Sequence, residues 1–141
     1  MLGARVLGAA VGDQTEDGYR LVPRDAHLAL RQGFDRARRH RSLSCFDVTL
    51  AGAKVRLRIL EPAIEELFRA CYGHLELVGD PAPPVATIDL WGSGDTPPWT
   101  RPVNRWGRLA FDPQRRFFHD WRPCSDAALD VAGGSIVACF P

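Results

Sequence analysis

Apolar and polar residues alternate with a period of two across CFDVTL (45–50) and again across KVRLRIL (54–60), on either side of Ala51-Gly52-Ala53. Phe46, Val48 and Leu50 share one side of the first run, and Val55, Leu57 and Ile59 share one side of the second. Asp47, Thr49, Lys54, Arg56 and Arg58 take the other side. This alternation predicts two neighbouring, half-buried strands joined by a tight turn. The period then changes. In EPAIEELFRACY (61–72), Ile64, Leu67, Phe68, Cys71 and Tyr72 recur at i, i+3, i+4, i+7 and i+8, the spacing of one helix face. Pro62 suits a first turn, where its missing N–H costs nothing, and Glu65 and Glu66 suit the positive end of the helix dipole. Gly73 offers the stop. The helix is expected to cover the hairpin's apolar face. Phe68, in mid-stripe, would then cost about 3–5 kcal/mol on truncation to alanine.

Elsewhere the pattern is less regular. Residues 1–24, polar from Asp13 onward, are expected to form a flexible lead-in to a single α+β domain over 25–141. DAHLALRQGFDRARRHR (25–41) reads as a second, N-terminal helix with Asp25 as its cap and Arg38, Arg39 and Arg41 in its last turns. Its apolar stripe (Leu30, Phe34, Ala37) is thin, which predicts a surface helix or one docked on a partner. GDPAPP (79–84) is a stiff connector, and VATIDLW (85–91) a third strand with Ala86, Ile88 and Leu90 on one face. GSGDTPPWTRPVN (92–104) is rich in turn formers and prolines, so a long surface loop is expected. RLAF and RFFHDW flank the turn sequence Asp112-Pro113-Gln114-Arg115 and form a second hairpin. DAALDVA fits a strand or a short helix, and Gly133-Gly134 turns into the apolar run SIVACF. Strands outnumber helices and their connections are short. The expected class is α+β: a mainly antiparallel, sandwich-like sheet with one covering helix and a second helix near the N-terminus.

Length and composition narrow the function classes. At 141 residues with 45% hydrophobic residues, one domain can bury a core without metals or disulfides. A net charge of +1 gives no global case for nucleic acid or an anionic membrane, and the 17 arginines are spread along the chain and form no stripe. No run has the length of a transmembrane helix, and the apolar start MLGARVLGAAVG is broken by three glycines. Cys45, Cys71, Cys124 and Cys139 lie far apart among apolar neighbours, which predicts small buried thiols in a cytoplasmic protein.

Few residues carry the spacing of chemistry. Cys71-x-x-His74 resembles half of a metal site, but only His27, His119 and Cys124 remain as further ligands. His119 and Asp120 would point to opposite faces of a strand and cannot orient one another toward Cys124. Gly92-Ser93-Gly94 follows a strand, yet no lysine follows it and Pro97-Pro98 prevents the helix that a phosphate loop requires. No cofactor is therefore expected. The candidates for contact are Trp99, Arg101, Arg105 and Trp106, residue types that anchor binding surfaces, with the basic stretch RARRHR (36–41) as an alternative.

From Phe46 to about Trp121, the order of features resembles the N-terminal segment of HPr-kinase-like proteins, homologues of the serine kinase of the HPr protein. The features are FDVTLAGAKVRLRI, a helix ending in ACYGHL, a proline-rich break with ATIDLW, and LAFDPQRRFFHDW. In that family this segment precedes a kinase-like domain whose phosphate loop ends in Gly-Lys-Ser or Gly-Lys-Thr. Lys54 is the only lysine here and has no flanking glycines, so none of the family's nucleotide-binding residues carries over. The resemblance implies a non-catalytic accessory module that binds a protein or peptide, with a kinase-like chain as a candidate partner and homo-oligomerisation left open. Two alternatives stand beside it: a fragment or degenerate subunit of an ATP-dependent serine kinase-like enzyme acting on a protein or peptide, and a stand-alone small-ligand binder.

Overall fold

The computed structural model describes residues 22–92, 108–122 and 125–140. It is an α+β fold: one eight-stranded mixed sheet with a helix on each face. In chain order the elements are α1 (Pro23–Ala37), β1 (Ser44–Leu50), β2 (Ala53–Ile59), α2 (Pro62–Tyr72), β3 (Glu76–Leu77), β4 (Ala86–Gly92), β5 (Arg108–Phe111), β6 (Phe117–Arg122), β7 (Ser125–Asp130) and β8 (Ser135–Phe140). Across the sheet the strands run β3-β1-β2-β4-β8-β7-β6-β5. Five of the seven pairings are antiparallel; β2–β4 and β4–β8 are parallel. Parallel neighbours require a crossover, and α2 supplies it between β2 and β4. The expected sandwich is thus a single sheet whose centre is a β-α-β unit.

Both predicted hairpins form. Leu50 pairs with Ala53 around a two-residue turn in which Ala51 (φ 50°) and Gly52 (φ 79°) are both left-handed. That is the turn geometry that matches strand twist. The register then stacks Phe46, Leu57, Ile88, Ile136, Leu129, Phe118 and Phe111 as one cross-strand row over seven strands. DAALDVA resolves as strand β7, because it pairs on both sides with β6 and β8.

Phe46, Val48, Val55, Leu57, Ile59, Leu90 and Ala138 form the core on this face, with Ile64 and Phe68 of α2 packed against them. The cover is partial. No residue of α2 is fully buried, Leu67 is 61% exposed, and Cys71 is exposed as well. The helix lies over the narrow β1–β2 end of the sheet, so only its Ile64–Phe68 side finds apolar partners. Cys71 therefore leaves the core stripe assigned to it by periodicity, and Cys45 is also exposed; of the described cysteines only Cys139 is buried. Phe68→Ala should accordingly cost about 1–2 kcal/mol, well below a full core truncation. Urea unfolding measures it, and a loss above the cost of Phe34→Ala would show that α2 is buried more deeply.

The larger correction concerns α1. The helix begins at Pro23, with Val22 in place of the expected Asp25 at the cap position, and ends at Ala37 before Arg38, Arg39 and Arg41. It is not a surface helix: Ala26, Leu30 and Phe34 are completely buried against β8, β7 and Leu60. A thin stripe suffices because small residues let the backbone approach the sheet. A Cβ at Gly33 would stand 2.5 Å from the Trp91 ring, so only glycine admits that contact.

Candidate functional site

The parallel strands β2, β4 and β8 all end at one edge of the sheet, and in open α/β sheets ligands gather at such carboxyl ends. At the β2 end of this edge, beside the start of β1, lies an open cavity of about 600 Å³, lined by Arg41, Ser42, Leu43, Ile59, Leu60 and Glu61, with Glu65 from the first turn of α2. Its size falls in the range of ligand pockets. Arg41 closes one side by donating to Glu61 and to the Gly92 carbonyl, which ties the stretch after α1 to the ends of β2 and β4. Ser44 and Arg69 hydrogen-bond Glu65 and hold its carboxyl below the usual range. Both carboxylates at its rim are paired within the protein, Glu61 with Arg41 and Glu65 with Arg69.

Gly92 and Arg108, which bracket residues 93–107, stand on this same edge. The register Trp91–Cys139–Asp126–Trp121–Arg108 places β8, β7 and β6 between them. The sequence-derived contact residues Trp99, Arg101, Arg105 and Trp106 fall outside the described residues, as does Cys124. Of the alternative basic stretch, Arg41 joins the cavity wall, whereas Arg38 and Arg39 are exposed past the end of α1.

Polar groups inside the protein are largely spent on one another. Asp89 of β4 is fully buried beneath α1. Arg58 grips it with two hydrogen bonds of 2.6 Å, and Arg31 of α1 donates a third at 2.5 Å. Arg58 also lies over the Phe34 ring, 5.4 Å from its centroid. Arg31 donates again to Ser135, whose hydroxyl is 3.0 Å from His27 Nε2. Burial, and next the charge of Arg31, hold the His27 imidazole below its ordinary pKa, with Asp130 and Asp89 opposing. Deeper still, His119 and Asp126 meet at 2.5 Å with exposures of 1% and 0%. On the open face of β1–β2, Asp47 is held by Arg56 and Lys54, and the Arg56 hydrogen bonds keep its carboxyl below the usual range.

Sequence spacing did foresee His119 and Asp120 on opposite sides of β6. It missed Asp126 as the partner of His119, which the β6–β7 register brings alongside. Among the described residues, no group of three or more His, Cys, Asp or Glu side chains could hold a metal ion, and Cys71 and His74 gain no further ligands. No described helix is long and apolar enough to cross a membrane. The chain matches no protein-family model, no curated protein and no solved structure.

Proposed function

We propose that this chain is a non-catalytic protein- or peptide-binding module, related to the accessory N-terminal segment of HPr-kinase-like proteins, and that it contacts its partner along the carboxyl edge of β2, β4 and β8. The observation that carries this reading is the open cavity beside Gly92, lined by both apolar and carboxylate groups. Two buried ionisable groups are consistent with it, being engaged within the protein. His119 is paired with Asp126 away from solvent, and Asp89 is shared between two arginines. A kinase-like chain acting on a protein or peptide is the partner the resemblance favours.

Two experiments test the reading. Titration calorimetry with Mg-ATP should give no heat of binding, since the sequence has no Gly-Lys-Ser or Gly-Lys-Thr phosphate loop. Micromolar affinity would instead favour the degenerate-kinase alternative. Second, a Trp99→Ala, Trp106→Ala variant and an Arg41→Ala variant should stay folded and each weaken the partner complex by about 2 kcal/mol or more, the loss typical of anchor residues. Full binding by both variants would move the contact surface elsewhere. The cavity also keeps the small-ligand reading in play, and a ligand that protects Leu60 and Glu61 from hydrogen exchange without any protein partner would support it.

A further inference from the structure

Buried apolar residues run the length of α1, from Pro23 and Ala26 through Leu30 to Phe34, and a polar cluster adds a second attachment to its N-terminal half. His27 Nε2 meets Ser135 Oγ at 3.0 Å, Arg31 reaches the same hydroxyl and Asp89, and the His27 ring stands 6.1 Å from that of Phe117. The charges that face this ring come from three elements. Arg31 lies one turn away on α1, Asp89 is on β4 and Asp130 is at the end of β7. Both carboxylates are already engaged: Asp89 by Arg31 and Arg58, Asp130 by Arg116 and the Gly133 N–H. A neutral imidazole fits, because it needs only one partner, Ser135. A protonated one would add a second cation at i, i+4 to Arg31 in a half-buried position, where like charges repel and desolvation is costly.

We propose that His27 is an acid-sensing residue, whose protonation loosens the N-terminal half of α1 from the sheet and uncovers Pro23, Ala26 and Leu30. The lowered imidazole pKa fixes the direction. The opened helix binds the proton more tightly than the closed one does. Closure is therefore complete above the ordinary histidine value of about 6.5 and weakens as pH falls from there toward the closed-state pKa. The proposal concerns α1 and the sheet beneath it, and it stands whether or not the cavity edge is a partner's seat.

Hydrogen exchange of the full chain between about pH 7.5 and about pH 5.5, corrected for intrinsic exchange, reads it directly across the ordinary histidine range. Opening of residues 23–31 should rise several-fold on acidification in the wild type and stay nearly flat in His27→Gln, which keeps a hydrogen-bonding group but cannot charge. The His27 ring, followed by NMR in the wild type, should titrate below its ordinary value and in step with that opening. Equal acid responses in the two proteins would overturn the proposal, as would a response confined to β6–β7, where His119 and Asp126 lie. Should His27→Gln fail to fold, the wild-type titration decides alone: a midpoint at or above the ordinary value rejects the acid sensor.

Discussion

Replacing Phe34 with alanine is expected to lower the unfolding free energy by about 3–5 kcal/mol, the cost of emptying a fully buried aromatic site. Phe34 has no exposed surface and packs with Leu30, Leu60, Ala128, Val137 and Cys139, while the Arg58 guanidinium lies over its ring. The surroundings cannot collapse easily into the void, because Gly33 already stands against Trp91 and Arg58 is tied to Asp89. Leu28→Ala, on the same helix but 53% exposed, is the control and should change stability by no more than about 0.5 kcal/mol. Guanidinium denaturation of the two variants checks both values. Equal losses would mean that α1 does not sit on the sheet as described.

The second large effect is expected at Asp89. Removing one partner from a buried charged cluster costs about 3–5 kcal/mol when the remaining charges stay buried. Arg31 and Arg58 keep side-chain exposures of 25% and 22%, so water recovers part of that cost, and Asp89→Ala should lose about 2–4 kcal/mol. Asp89→Asn should lose less, since its amide oxygen still accepts a hydrogen bond from one guanidinium. A double-mutant cycle with Arg58→Met separates the pair from the single deletions. If Asp89→Ala proved neutral, the two arginines would have to find other partners, and the polar attachment of α1 would not be the determinant of its position.

The elements whose partners are close in sequence were legible from the chain. β1 and β2 declare themselves by alternation and by a turn that demands left-handed backbone at Ala51 and Gly52. β5 and β6 declare themselves around Asp112, whose side chain accepts the N–H groups of Arg116 and Phe117. Pro62 marked the start of α2 correctly, because proline at the first turn acts locally. The cap of α1 was misplaced by three residues, from Val22 to Asp25, although a proline marked that start as well. Pro23, and not Asp25, opens the helix, and no side-chain hydrogen bond caps it.

What went unread depended on distant neighbours. The stripe of α1 looked thin because its count of large apolar residues was low, while the contributions of Ala26 and Gly33 appear only when a flat sheet lies close beneath them. The stripe of α2 looked sufficient for burial, yet Leu67 and Cys71 are exposed. At the candidate site, periodicity put Asp89 on the side of β4 opposite Ala86, Ile88 and Leu90, but could not say that α1 covers that side. Arg58 and Arg31, 31 and 58 residues away in the chain, then converge on its carboxylate. The cavity edge likewise requires Arg41, Glu61 and Gly92 to meet, which follows from strand order alone.

The sequence by itself determined much of the local structure: the two hairpins, the helix that starts at Pro62, and that no phosphate loop is present; whether DAALDVA is strand or helix it left open. The local elements depend on backbone sterics and on side-chain periods of 2 and 3.6, which act within a few residues. Tertiary structure alone decided that β4 lies between β2 and β8, which helix is buried, and which charges neutralise one another. Those choices rest on burial and Coulombic pairing between segments far apart in the chain, and neither has any signature in local pattern.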